Sequence, residues 1–349
     1  MKPSFIVLIL AGSALSLSGQ QTFSGPASAY VFDSVAHSIR PVTGVPGAAW
    51  LGSQPGPPSE QPWDSVFIAP NGKRALGVSG LSINLIPDLS QPASFSSIGQ
   101  ASGPISRIAW SGDSTTAATW SPTAGQLRRI SGLDSAPVVH DPIDLAALLG
   151  TLSGWSLSPD GRYVALSSPA SGTASVYLSD SDGAPLPIGS LIDPGAVAFS
   201  VDGASLFVSN GAKRQIMMFS LPSGAIAGSF DASPFEFARR VAVTDSGIRE
   251  SPAARRPGPS GVQDLAVSAD GARLYAVGGE TLCGYDLTPG QLPSCSALEI
   301  TPGSFQSMPG GILLLNYPRA GNMPLWLLDG KTGQTYFVPA GSATADASF

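Results

Sequence analysis

Charged side chains, histidines and cysteines are all scarce in this 349-residue sequence. Charged residues make up 12% of the chain, which is about half the usual share. Helices rely on Glu, Lys and Arg for their exposed faces, so this shortage argues against a helical protein. The net charge of −6 excludes a globally basic nucleic-acid binder, and we expect no nucleic-acid partner. Disorder is excluded because 43% of the residues are hydrophobic.

Residues that perform catalysis or bind metals are also few. The two histidines, His37 and His140, lie in predicted loops, and the Gly-x-Ser-x-Gly elbow of a nucleophilic serine does not occur. The segment 180–183 (Asp-Ser-Asp-Gly) is similar to the opening of a calcium loop, but the third carboxylate and the distal glutamate are missing. We therefore predict no catalytic residue, no metal site and no cofactor.

The N-terminal residues have the pattern of a secretory signal peptide. Lys2 supplies a positive charge, an apolar stretch follows from Phe5 to Leu17, and Ser16 and Ser18 provide small side chains before a cleavage point. Residues 1–19 are predicted to be removed, and no membrane span is expected afterwards, since the apolar run is short and no second one follows. A buried N-terminal strand or an uncleaved anchor is the alternative. The predicted location is outside the cytoplasm: periplasmic, at the cell surface or secreted.

The only two cysteines, Cys283 and Cys295, lie close together and enclose Pro289, Gly290 and Pro293. In an oxidising compartment such a pair is expected to form a disulfide that closes a short loop. Two free thiols or a metal site are the alternatives, and a metal site lacks further ligands.

A turn of the Pro-Asp-Gly type recurs between two apolar segments. Asp-Gly and Asn-Gly favour hairpins because these residues tolerate a positive φ. A third and a fourth short strand follow each hairpin, so that each unit has four strands. The turns lie 40 to 47 residues apart, except for one longer step, and this period with four strands is typical of a β-propeller blade. The turn residues are Asn71, Asp113, Asp160, Asp202, Asp270 and Gly310.

The number of blades depends on two irregular regions. The segments 30–33 and 39–42 resemble only the outer strands of a blade. The step from Asp202 to Asp270 is about half a blade too long, and Asp245-Ser246-Gly247 could form a degenerate hairpin turn within it. We predict an all-β propeller of seven four-stranded blades, with six or eight as alternatives. The predicted domain covers 22–340, with an irregular insertion at about 230–261 and a flexible tail at 341–349.

Two segments carry a resemblance to known repeats: Ser158–Ala165 (SPDGRYVA) and Ser268–Val277 (SADGARLYAV). They resemble the WD40-like, TolB-like and lactonase-like (YVTN) propeller repeats of exported bacterial proteins. The resemblance covers about 30–340 and implies the architecture. It implies little about activity, because these propellers include hydrolases, scaffolds and surface binders. The Trp-Asp dipeptide of WD40 blades is not repeated here.

The repeated turn residues Asn71, Asp160, Asp202 and Asp270 are interpreted as structural, capping their own turns through side-chain to backbone hydrogen bonds. The alternative is a ring of aspartates that binds cations. A cluster of arginines in the insertion is the candidate binding site, because a Pro/Gly-rich arm with these charges could dock an anionic partner. A solvated loop without a partner is its alternative. The cluster consists of Arg239, Arg240, Arg249, Arg255 and Arg256.

The predicted function is a non-catalytic binding or interaction propeller whose partner is a protein, a polysaccharide or another anionic molecule. One alternative is a lactonase-like hydrolase acting at the central channel, which would require His140 or a glutamate to converge there with an aspartate. The other is a structural component of the cell envelope.

Overall fold

The computed structural model describes residues 27–52, 63–145, 152–168, 176–180, 183–236, 243–244, 247–248, 261–288, 291–316 and 323–340. These residues form thirty β-strands and two short 3-10 turns, and no α-helix occurs among them. None of the helical turns in this part of the chain could cross a membrane. The predicted signal peptide 1–19 and the tail 341–349 lie outside the described residues.

Consecutive strands pair antiparallel into the blades of a propeller. Blade 1 contains β1 (Ala27–Asp33), β2 (Ser38–Thr43) and β3 (Trp50–Leu51). Blade 2 contains β4 (Ser65–Ile68), β5 (Ala75–Ser79), β6 (Ser82–Ile86) and β7 (Ser96–Gln100). Blade 3 contains β8 (Arg107–Trp110), β9 (Ala117–Ser121), β10 (Gln126–Ser131) and β11 (Val138–Val139), and β12 (Ile143–Asp144) also pairs with β10.

The remaining blades follow the same order from the inner to the outer strand. Blade 4 contains β13 (Gly154–Leu157), β14 (Tyr163–Ser167), β15 (Val176–Asp180) and β16 (Leu186–Gly189). Blade 5 contains β17 (Pro194–Phe199), β18 (Ser205–Asn210), β19 (Gln215–Ser220) and β20 (Ala225–Asp231). A ribbon of β21 (Val243–Thr244) and β22 (Gly247–Ile248) comes next. Blade 6 contains β23 (Asp264–Val267), β24 (Arg273–Gly278), β25 (Thr281–Asp286) and β26 (Ser294–Ala297). Blade 7 contains β27 (Gln306–Met308), β28 (Ile312–Leu314), β29 (Leu325–Asp329) and β30 (Thr335–Val338).

The hydrophobic core is divided among the contacts between neighbouring blades. Seven clusters of buried side chains each join one blade to the next, and one of them joins blade 7 back to blade 1. In that closing cluster Val31 and Leu51 of blade 1 pack with Leu325 and Leu327 of blade 7. Seven interfaces in a closed circle mean seven blades, so the predicted fold is confirmed.

The long step between Asp202 and Asp270 contains an insertion and no additional blade. Phe207 of blade 5 packs in one cluster with Leu274 and Tyr285 of blade 6, so these blades are direct neighbours. The ribbon β21–β22 lies between them in sequence and pairs only within itself in the described residues. Asp245 and Ser246, two residues of the suggested degenerate turn, lie outside the described residues.

Blade 1 lacks an inner strand among the described residues. The connection between β1 and β2 resembles the connection between β18 and β19 in blade 5. His37 is the last residue of the first connection and Arg214 the last residue of the second, and both have a left-handed backbone, with φ of 48° and 53°. β1 therefore takes the place of a second strand. The inner strands of blades 7 and 2 meet directly instead, and the side chain of Gln306 donates a hydrogen bond to the carbonyl of Ile68 at 3.4 Å. Among the described residues, the inner circle consequently has six strands and the outer part has seven blades.

The recurrent turn is built by a serine and an aspartate two residues apart. In blade 4 the Ser158 hydroxyl donates to Asp160 Oδ1 at 2.5 Å and accepts from the Tyr163 amide at 2.8 Å, and the Arg162 amide donates to Asp160 Oδ1 at 3.0 Å. The same bonds recur around Ser111–Asp113, Ser200–Asp202 and Ser268–Asp270. In blade 2 Asn71 Oδ1 accepts from the Lys73 amide at 2.9 Å. Each of these side chains is thus engaged in its own turn.

Candidate functional site

The two faces of the propeller carry different groups. We call the face where the inner strands begin the upper face, and the face with the recurrent hairpin turns the lower face. Antiparallel order places the start of every inner strand on the upper face and the hairpin after it on the lower face. Two groups of polar side chains are candidate sites, one at the upper mouth of the central channel and one beside blade 1 on the lower face.

An ion pair crosses the channel at the upper face. Arg107 begins the inner strand of blade 3 and Asp264 begins that of blade 6. These two blades are opposite each other, because two inner strands separate them on either side of the circle. Arg107 Nη2 lies 3.6 Å from Asp264 Oδ1, and the Arg107 guanidinium carbon lies 5.6 Å from the centre of the Trp155 ring. The pair therefore links the two sides of the ring.

Asp264 is the most deeply buried group at this mouth. Its side chain is 4% exposed, whereas that of Arg107 is 40% exposed. The amide of Phe305 donates to Asp264 Oδ2 at 2.7 Å, and the amide of Leu265 donates to Oδ1 at 3.0 Å. Burial raises the pKa of this carboxyl above its ordinary value, although the Arg107 charge and the two amides act in the opposite direction. The carboxylate is thus held by blades 3, 6 and 7 together.

The raised pKa of Asp264 predicts how stability depends on pH. The folded chain keeps this proton at pH values where the unfolded chain, with a pKa of about 3.9, has already released it. The free energy of unfolding should therefore fall as the pH rises from about 3.9 through the folded pKa. Asp264→Asn cannot titrate and should lack this fall. Urea unfolding of both proteins from pH 4 to pH 8 checks this, and parallel curves would contradict it.

The histidines do not reach the channel. His37 lies in the turn between β1 and β2, where its Nδ1 is 2.7 Å from the Trp63 carbonyl oxygen. His140 follows β11 at the outer edge of blade 3, where its Nε2 is 2.8 Å from the Ser131 hydroxyl. Within the part of the chain that the structure describes, no three His, Cys, Asp or Glu side chains are grouped as metal ligands.

The second place is a cavity of about 520 Å³ on the lower face, which we call the lower cavity. It lies where β1 begins, between the hairpin of blade 2 and Pro309 of blade 7. Blades 1, 2 and 7 all contribute residues to its wall. The lining residues are Ser28, Ala29, Tyr30, Asn71, Gly72, Lys73, Arg74, Pro87, Asp88, Leu89, Ser90 and Pro309.

Arg74 is the unusual group in the lower cavity. Its Nε and Nη1 atoms are buried and have no hydrogen-bond partner, although buried guanidinium groups normally have partners. The neighbouring Lys73 is exposed. Asp88 accepts from the Ser90 amide at 2.9 Å and from its hydroxyl at 2.6 Å, and these bonds lower its pKa. Burial, and then the Asp88 charge, raises the pKa of Tyr30. The cavity thus combines two cations with one carboxylate.

Sequence reasoning did not identify the groups at either place. Arg107 and Asp264 carry no local motif, and Arg74 was part of an ordinary hairpin. The sequence did contain one signal for the second place, which is the pair of adjacent cations Lys73 and Arg74 in the blade that follows the incomplete first blade. The five arginines proposed as a binding arm, Arg239, Arg240, Arg249, Arg255 and Arg256, lie outside the described residues. In the calcium-like segment, Asp180 Oδ2 is 3.1 Å from Arg162 Nη2, and Ser181 and Asp182 are again outside the described part.

The predicted disulfide is confirmed. Cys283 and Cys295 are directly opposite each other on β25 and β26 of blade 6 and are bonded. Cys283 is fully buried in the cluster between blades 5 and 6, and Cys295 is exposed on the outermost strand. The bond therefore attaches an outer strand to the core.

No family model and no curated protein matches this sequence. Solved structures do share its fold. One is a functionally unknown protein from Desulfotomaculum acetoxidans DSM 771, with 13% identity, a TM-score of 0.58 and coverage of 89% of this chain and 95% of that one. Another, from Bacteroides uniformis ATCC 8492, is described as a "putative 6-phosphogluconolactonase", with 15% identity, a TM-score of 0.57 and coverage of 89% and 96%. At these identities the likeness shows the propeller fold alone.

Proposed function

We propose that this chain is an exported propeller that binds a ligand or partner without catalysing a reaction. The observation that carries the proposal is the Arg107–Asp264 pair, in which the carboxylate at the channel mouth is engaged by contacts within the protein. The disulfide between Cys283 and Cys295 supports export, since such bonds persist in oxidising compartments.

The channel mouth favours a structural role for its carboxylate. A general acid or base must come within hydrogen-bond reach of its substrate. Asp264 is nearly inaccessible, and amides from blades 6 and 7 already donate to both of its oxygens. The pair joins inner strands that do not pack against each other, so it is a contact between opposite sides of the ring.

A hydrolase acting at the channel is the second candidate. One observation favours it, because a buried carboxyl with a raised pKa beside an arginine is a common feature of active sites. A substrate would have to displace Arg107, whose guanidinium also lies near the Trp155 ring.

A turnover assay separates the two candidates. Wild-type protein and Asp264→Asn are incubated with a panel of lactones, phosphate esters and glycosides, and product formation is followed. We expect neither protein to show turnover above buffer. Turnover by the wild-type protein that disappears in Asp264→Asn would establish the hydrolase instead. Thermal shifts with the same compounds report binding separately, since a ligand at about 100 times its Kd stabilises a fold by about 2.7 kcal/mol.

A further inference from the structure

We propose that Cys295 is an S-thiolation site, at which a small external thiol, preferably a cationic one, exchanges with the Cys283–Cys295 disulfide and joins the Cys295 sulfur. The modification lies outside the proposed binding function and does not depend on it.

Burial distinguishes the two bonded cysteines. Cys283 is fully buried and packs with Leu274 and Tyr285 in the cluster between blades 5 and 6. Cys295 is exposed, as are the other three residues of β26, which is the outermost strand of its sheet. A disulfide is opened by a thiolate that attacks one of its sulfurs, and the rate depends on access to that sulfur. Cys295 is therefore the residue that an external thiol can reach.

The direction of attack leads to the same residue. An attacking thiolate approaches a sulfur in line, from the side opposite the sulfur that departs. Because the two cysteines are directly opposite each other, the bond runs from β25 across to β26. For Cys295 the open side is the outer edge of β26, where the sheet has no further strand among the described residues. For Cys283 it is the side of β24, where the fully buried Ala276 is directly opposite.

The exchange conserves electrons and needs no oxidant. The sulfur of the external thiolate forms a bond to Cys295 Sγ, and the bond between Cys295 Sγ and Cys283 Sγ breaks. The electron pair of the broken bond stays on Cys283 Sγ, which takes up a proton. The products are a mixed disulfide at Cys295 and a thiol at Cys283 that remains in the apolar core, where thiols are inert towards external reagents.

The charge of blade 6 favours a thiol that carries a positive charge. Between residues 263 and 300 the chain has five acidic residues and one basic residue, so the formal net charge is −4. A surface of one sign raises the local concentration of reactants of the opposite sign, and salt screens the effect. An aminothiol should therefore react faster than an anionic thiol. The acidic residues are Asp264, Asp270, Glu280, Asp286 and Glu299, and the basic residue is Arg273.

Peptide mapping of the full chain by mass spectrometry tests the proposal. The folded chain is incubated at pH 8 with an excess of cysteamine, quenched with acid, and unfolded in urea with N-ethylmaleimide present. Chymotrypsin, which can cut after Tyr285, then separates the two cysteines. We expect cysteamine on Cys295 and N-ethylmaleimide on Cys283. A chain unfolded in urea before the incubation should carry cysteamine on both residues, since neither sulfur is then protected.

The preference for a cationic thiol has its own measurement. Cysteamine and glutathione are compared on the folded chain at the same thiolate concentration. Cysteamine should react faster, and the ratio of the two rates should fall when salt is added. Reaction of glutathione as fast as cysteamine would contradict the charge preference.

Two single variants provide a matched comparison. Cys283→Ala leaves a free thiol at Cys295, and Cys295→Ala leaves one at Cys283. N-ethylmaleimide should label the folded Cys283→Ala variant at least about tenfold faster than the folded Cys295→Ala variant, because buried thiols are inert. Melting curves check that both variants fold, and the peptide map of the wild-type chain does not depend on either. Cysteamine mainly on Cys283 of the folded chain, equal amounts on both residues, or an adduct only after unfolding would overturn the assignment.

Discussion

Gly72→Ala is expected to lower the free energy of unfolding by about 3 kcal/mol, because it strains the contact that closes the inner circle. Gly72 lies in the blade 2 hairpin with φ of 65°. A Cβ added there would overlap the ring of Pro309 in blade 7. The substitution therefore adds a clash between two blades to the cost of a left-handed backbone.

Gly80→Ala is the matched control for this prediction. Gly80 has φ of 60° and lies in the turn between β5 and β6, and a Cβ added there meets nothing within 4 Å. The Gly80→Ala variant should therefore lose only the free energy of placing an alanine in a left-handed backbone conformation, about 1 kcal/mol. The difference between the two variants in urea unfolding reports the closing contact. If the two variants lost equal amounts of unfolding free energy, the close contact between Gly72 and Pro309 would not contribute to holding blades 2 and 7 together.

Breaking the Cys283–Cys295 disulfide is expected to lower the free energy of unfolding by about 3 kcal/mol. The bond closes a loop with a sequence separation of 12, and a loop of about 15 residues is stabilised by roughly that amount through the entropy of the unfolded chain. The effect should be strong because all four residues of β26 are exposed and supply little apolar packing of their own. Without the bond, β26 is held mainly by its hydrogen bonds to β25.

Reduction of the wild-type protein provides the measurement, since it breaks the bond and removes no atoms from the core. Urea unfolding is compared with and without a reductant, and amide exchange is followed along β26. The double variant Cys283→Ala/Cys295→Ala serves as the control and should be insensitive to the reductant. If the reduced wild-type protein unfolds at the same urea concentration as the oxidised one, the disulfide does not hold the outer strand.

The sequence by itself determined the repeating architecture and the disulfide. Alternating apolar residues around each Pro-Asp-Gly turn indicated the strands, and Ser158 with Asp160 completes its hydrogen bonds within five residues. Such local bonds depend on spacing alone, so a single sequence is enough to predict them. The same is true of Cys283 and Cys295, which are near in sequence and opposite on adjacent strands.

Only the tertiary structure decided how the ring closes and which polar groups meet. Arg107 and Asp264 begin similar inner strands, and their pairing follows from the positions of blades 3 and 6 across the circle. Arg74 has an ordinary place in its hairpin, and the cavity that it lines is assembled from residues of blades 1, 2 and 7. The physical reason is that side chains far apart in sequence meet only when the blade number and each blade's strand content are set, and both depend on packing around the whole ring.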